Sequence, residues 1–144
     1  MTISRDSSEP SKQTNEEDAK RRALLIAEVV QSKHAEDIVI FKVSELSSLA
    51  DYFVVCTAES KPQIHAISET VDHTLSRDEN TKPLGIEGRD SKTWLLMDYG
   101  DIILHVFNPV SRAFYGLDRL WGDAPQITLP EIANELGAAE QGRR

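Results

Sequence analysis

The sequence predicts an α/β fold: a single domain with one mixed β-sheet of about five strands covered by helices. Apolar residues recur at helical spacing in some stretches, while others are short runs rich in β-branched and aromatic residues. The two kinds follow one another as α-β-β-α-β-β-β-α, an order that suits a mixed sheet with helices packed on it. At 144 residues the chain has the length of one ordinary domain, and its core needs neither a disulfide nor a structural metal.

Residues 1–15 are Ser, Glu, Lys, Thr and Asn without apolar periodicity, and read as a disordered arm. A helix follows from Glu16 to Lys33, carried by Ala23, Ile26, Ala27 and Val30. Asp37 to Val43 reads as a strand, Ser44 to Asp51 as a connection with room for a helical turn. Tyr52-Phe-Val-Val-Cys-Thr57 is too apolar to alternate, so it predicts a strand buried on both faces. Ser60-Lys-Pro-Gln63 announces the next helix: Ser60 caps it, Gln63 reaches back to the cap, and Pro62 suits the first turn. Ile64, Ile67, Val71 and Leu75 form its apolar stripe, with His65 and His73 off it. Asn80 to Pro83 is a loop, and Leu84 to Gly88 a short strand. Trp94-Leu-Leu-Met-Asp-Tyr-Gly-Asp-Ile-Ile-Leu-His-Val106 supplies two longer strands. A last helix runs from Pro109 to Trp121, with Phe114, Leu117, Leu120 and Trp121 as its apolar side. The domain is thus expected over residues 16–124. Residues 125–144 form a tail holding a short amphipathic segment, Leu129 to Leu136.

Charge narrows the partners. The chain carries 24 acids against 16 bases, a net −8. Such a surface is not built to neutralise phosphates, and a basic protein suits it better than bare nucleic acid. No run of about 18 apolar residues occurs, so no membrane-spanning segment is expected. The single cysteine, Cys56, fits a reducing compartment, and the acidic start fits neither a signal nor a transit peptide. A cytoplasmic location follows as an expectation.

The segment from Trp94 to Val106 carries the functional signal. With Tyr99-Gly100 as a two-residue loop, the opposed pairs are Asp98 with Asp101, Met97 with Ile102, Leu96 with Ile103, Leu95 with Leu104, and Trp94 with His105. Faces alternate along a strand. One face then holds Leu95, Met97, Ile102, Leu104 and Val106 and turns to the core. The other holds Trp94, Leu96, Asp98, Asp101, Ile103 and His105, too greasy for open water and too polar for a covering helix. An aromatic and two aliphatics ending in carboxylates match the centre and rim of a protein interface. A metal site of Asp98, Asp101 and His105 is disfavoured, because His105 lies about 13 Å further along its strand than the turn.

Other features read more simply. Gly85-Ile-Glu-Gly88 is too sparse for a phosphate-binding loop. Ser60 is explained by capping, Cys56 as a small core residue, and Trp121 as core or helix-end packing. Tyr115 follows Phe114 on the last helix, a position from which it can emerge beside the sheet.

A set of segments then resembles a known family. Ala35-Glu-Asp-Ile-Val39, Ser47-Ser-Leu-Ala-Asp-Tyr-Phe53, Gly85-Ile-Glu-Gly88, Trp94-Leu-Leu-Met-Asp-Tyr-Gly-Asp101, His105-Val-Phe107 and Tyr115-Gly-Leu-Asp-Arg-Leu-Trp-Gly-Asp123 resemble, in order and spacing, those of the ribosomal silencing factors, or Iojap-related proteins. The resemblance covers residues 20 to 124. It implies a nucleotidyltransferase-like topology and a translation repressor without enzymatic activity, cofactor or metal. Such a repressor binds the large ribosomal subunit at ribosomal protein fourteen and blocks the small subunit, and homodimers are common. It implies docking through Trp94, its neighbours on that sheet face, and Tyr115; Asp98 and His105 stand at family-like positions. Leu96 and Ile103 rest on the hairpin geometry alone.

The topology also raises a rival, a magnesium-dependent nucleotidyltransferase. Cys56-Thr-Ala-Glu-Ser60 lacks the glycine-serine pair of those enzymes and no Asp-x-Asp follows, so fold analogy alone supports it. A generic homodimeric adaptor would use the same patch as the repressor.

Overall fold

The computed structural model describes residues 12–128, with side chains from residue 16 onward. Helix α1 (Lys12–Ser32) buries Ala19, Ala23, Ile26, Ala27 and Val30 along one stripe. It begins four residues before the expected start, so residues 12–15 of the segment read as an arm are helical. A polar first turn carries no apolar periodicity to reveal it. The rest of that arm, and the amphipathic segment Leu129–Leu136, lie outside the described residues. The helix closes where His34 turns left-handed at φ 68° and the Ala35 N–H bonds back to the Val30 carbonyl (3.0 Å).

Strand β1 (Glu36–Lys42) carries a bulge between Glu36 and Val39, with Asp37 at φ 51°. Turns follow, and β2 (Tyr52–Thr57) is buried at every position, as its unbroken apolar run predicts. Helix α2 (Lys61–Glu79) is capped by Ser60, whose Oγ accepts from the Gln63 N–H. Gln63 reaches one residue beyond the expected cap: its Oε1 accepts from the Glu59 N–H (2.7 Å) while its Nε2 donates to the Lys33 carbonyl (3.0 Å). One amide thereby ties the start of α2 to the end of α1. The stripe Ile64, Ile67, Val71 and Leu75 is fully buried.

Strands β3 (Gly85–Glu87), β4 (Trp94–Asp98) and β5 (Ile102–Phe107) come next. The expected last helix is broken in two, α3 (Pro109–Tyr115) and α4 (Leu117–Leu120), because Gly116 at φ 63° ends the first. The break overturns the expected apolar side. Leu117 and Trp121 pack inward, but Phe114 and Leu120 are 79% and 68% exposed. A sixth strand, β6 (Gln126–Thr128), lies in the segment read as tail and pairs antiparallel with β1.

The sheet order is β3-β4-β5-β2-β1-β6, mixed because β2 and β5 run parallel while every other pair is antiparallel. Both long helices cover one face, over Ile40, Val54, Cys56, Leu95, Met97, Ile102, Leu104 and Val106. The opposite face holds a smaller cluster of Phe41, Val43, Phe53, Val55 and Phe107, partly covered by Leu117 and Trp121. No helix among the described residues is long and apolar enough to cross a membrane. Leu104 is fully buried under the helices, so Leu104→Ala is expected to lower unfolding free energy by about 3 kcal/mol in urea titration.

Candidate functional site

The β4–β5 hairpin differs from the expected register and preserves the expected faces. Trp94 pairs with Phe107, Leu95 with Val106, Leu96 with His105, Met97 with Leu104, and Asp98 with Ile103. The loop is Gly100-Asp101 rather than Tyr99-Gly100: the Tyr99 N–H bonds to the Ile102 carbonyl (2.9 Å), and Gly100 takes φ 88°. Glycine suits positive φ and tyrosine does not, so the turn moves one residue along. Tyr99 thereby sits just beyond the end of β4, hydrogen-bonded across the turn and with its ring buried. The pairing slides by two residues, and because side chains alternate with period two, no residue of β4 or β5 changes face. Leu95, Met97, Ile102, Leu104 and Val106 are all fully buried under the helices. Trp94, Leu96, Asp98, Ile103 and His105 remain half-buried on the opposite face.

Asp101 does not join them. Its carboxylate pairs with Arg22 of α1, and its carbonyl accepts from the N–H groups of Asp51 (2.8 Å) and Tyr52 (3.1 Å). The expected Asp98–Asp101 opposition is replaced by a turn contact, Asp98 Oδ1 accepting from the Gly100 N–H (2.8 Å). No group of three or more His, Cys, Asp or Glu residues among the described residues is placed to hold a metal ion.

Trp94 is positioned by the loop before it. The Ser91 Oγ accepts from the Trp94 N–H (3.1 Å), and Gly88 adopts φ 81° beside the tryptophan. A Cβ on Gly88 would fall 2.2 Å from the Trp94 carbonyl oxygen, so only glycine fits there. From the other side Tyr115, 58% exposed, stacks on Phe107 with ring centroids 5.6 Å apart. Trp94, His105, Phe107, Tyr115 and Leu117 line a shallow, mostly apolar concavity of about 350 Å³. Beneath it His105 stacks on Phe107 (6.0 Å) and meets Phe53 edge-on (5.2 Å), and Phe53 meets Trp121 edge-on (5.3 Å).

Sequence reasoning missed Phe107 and Leu117 as lining residues. Phe107 shares the face of His105 by simple alternation, and the shifted register sets it opposite Trp94. Leu117 becomes visible only once the chain breaks at Gly116.

The imidazole of His105 has both nitrogens buried without a hydrogen-bond partner, and burial pushes its pKa down to about 4. It is therefore neutral at pH 7. Cys56 is a buried core thiol, pushed up to about 12 by desolvation, and not a nucleophile at neutral pH.

A shallow aromatic concavity flanked by half-buried aliphatics and one carboxylate has the make-up of a protein-recognition surface. Residues 16–144 match the family described as ribosomal silencing factor during starvation. The ribosomal silencing factor of Bacillus subtilis is 38% identical over 73% of this chain and 88% of its own length. That of Halalkalibacterium halodurans is 34% identical over 75% and 92%. A crystal structure from Chromobacterium violaceum superposes with TM-score 0.68 at 31% identity, covering 72% of this chain and 85% of that one. The chain belongs to the ribosomal silencing factor family.

Gly88→Ala is expected to lower stability by about 2 kcal/mol or more in chemical denaturation, since positive φ and the collision act together. The folded-state pKa of His105 lies below its ordinary value of 6.5. Its neutral form therefore contributes stability in full above that value, and loses it progressively as pH falls toward 4. His105→Phe is expected to remove about 2 kcal/mol of the stability change between pH 7 and 4.5; equal slopes in both proteins would contradict the burial.

Proposed function

We propose that this protein is a cytoplasmic, non-enzymatic repressor of translation. It binds the large ribosomal subunit through ribosomal protein fourteen and keeps the small subunit away by its bulk. The observation that carries the reading is the sheet face that the described residues leave open opposite the long helices, with Trp94 and Tyr115 both lining one apolar concavity there. Trp94, Leu96, Asp98, Ile103, His105 and Tyr115 are the docking residues. Asp101, engaged by Arg22, serves the fold instead.

Family membership supports the ribosomal partner, and charge supports a basic protein on it. A chain of net −8 is steered toward a basic surface and gains no comparable advantage from phosphates. The mechanism requires affinity and size, with no bond made or broken. Self-association, implied by the family resemblance, belongs to the same proposal.

The test is binding of folded variants to purified large subunits by co-sedimentation. Trp94→Ala and Tyr115→Ala are each expected to weaken binding by about 2 kcal/mol or more, as truncating a buried interface aromatic commonly does. Undiminished binding by both folded variants would remove this face from the interface.

A further inference from the structure

The concavity has two walls of different build. Trp94, His105 and Phe107 stand on the sheet, whereas Tyr115 and Leu117 come from the α3–α4 segment. Neither short helix buries a single residue, and the segment meets the apolar cluster beneath through incompletely buried side chains, Leu117, Trp121 and the Tyr115 ring on Phe107. Burial alone is therefore a weak hold on the segment that carries Tyr115.

The stronger hold is polar. Arg112 lies on α3 with its side chain 13% exposed. Its Nη1 donates to the Asp37 carbonyl (2.7 Å) and to the Thr57 Oγ1 (2.9 Å). Its Nε and Nη2 grip the two oxygens of Asp118 (2.8 and 2.9 Å). One guanidinium thus joins β1, β2 and α3 to the start of α4. The Asp118 carboxyl is held below the usual carboxylate range by its hydrogen bonds to Arg112, as a charge-assisted bidentate pair requires. Tyr115 follows Arg112 by three residues, on the neighbouring turn of the same helix, and the Gly116 N–H closes that turn onto the Arg112 carbonyl (3.2 Å). The helical turn that carries Tyr115 is thus anchored at Arg112, and Tyr115 stacks on Phe107 from that turn.

We propose that Arg112 is a positioning residue for the docking face: held inside the fold, it sets where Tyr115 stands and so the width of the concavity. The proposal rests on the docking reading above. Lysine cannot replace arginine here, because one ammonium lacks the planar fork that serves Asp118 and the two sheet acceptors together.

The experiment combines Arg112→Lys with Tyr115→Ala, and uses Asp118→Ala as a milder variant that releases the fork from its outer side. NMR of the free protein reads the ring-current shift of Tyr115 against Phe107, and co-sedimentation with large subunits reads docking. Arg112→Lys is expected to move the Tyr115 signals toward unstacked values and weaken docking on the order of fivefold, with Asp118→Ala smaller in the same direction. In the Tyr115→Ala background, Arg112→Lys is expected to change docking no further. Unmoved Tyr115 signals, or an equal loss of docking in both backgrounds, would overturn the proposal. Should Trp94→Ala and Tyr115→Ala both dock like the parent, the docking reading fails on its own, and the Tyr115 signals still decide whether Arg112 sets that wall.

Discussion

The sheet has two long helices and spends both on the same face. α1 and α2 together seal Leu95, Met97, Ile102, Leu104 and Val106, which obliges the alternate residues of β4 and β5 to face the other way. There, among the described residues, only the short α3–α4 segment and the chain around Trp121 give partial cover. Everything of functional interest depends on this asymmetry. Strand alternation converts one sealed surface into one open surface, and the residues of the open one follow from those of the sealed one.

That dependence explains what was legible in advance. The face assignment of Trp94, Leu96, Asp98, Ile103 and His105 rests on period-two alternation, which survives any even slip of register. Register rests on the turn, where Tyr99, Gly100 and Asp101 compete for positions with different backbone demands, and there the expectation was off by one loop residue. Asp101 left the predicted patch because Arg22, distant in sequence, meets it in space; no local pattern announces such a partner. The long helices were plain because apolar stripes repeat over several turns. α3 and α4 are too short for periodicity to locate a break, so Gly116 passed for an ordinary helical residue. β6 offers three residues at a sheet edge, with β1 rather than its own pattern making it a strand.

The open face also sets its own chemistry. Burial keeps His105 neutral, so the aromatic run from Phe53 through Phe107 to Tyr115 stays free of charge at pH 7. Under the proposed function, an uncharged centre on an acidic protein would divide the labour of recognition: the long-range field would favour encounter with a basic partner, and the apolar concavity would supply short-range affinity. A repressor acting by obstruction needs those two properties and a body large enough to stand in the way.

The most direct test of that account is subunit joining itself. Purified large subunits would be incubated with increasing amounts of the protein, small subunits then added, and joined ribosomes quantified by sedimentation. The account predicts that the protein migrates with the large subunit and that joined ribosomes decline as its occupancy rises. Undiminished joining at full occupancy would contradict obstruction as the mechanism, and failure of the folded protein to migrate with the large subunit would contradict the proposed partner.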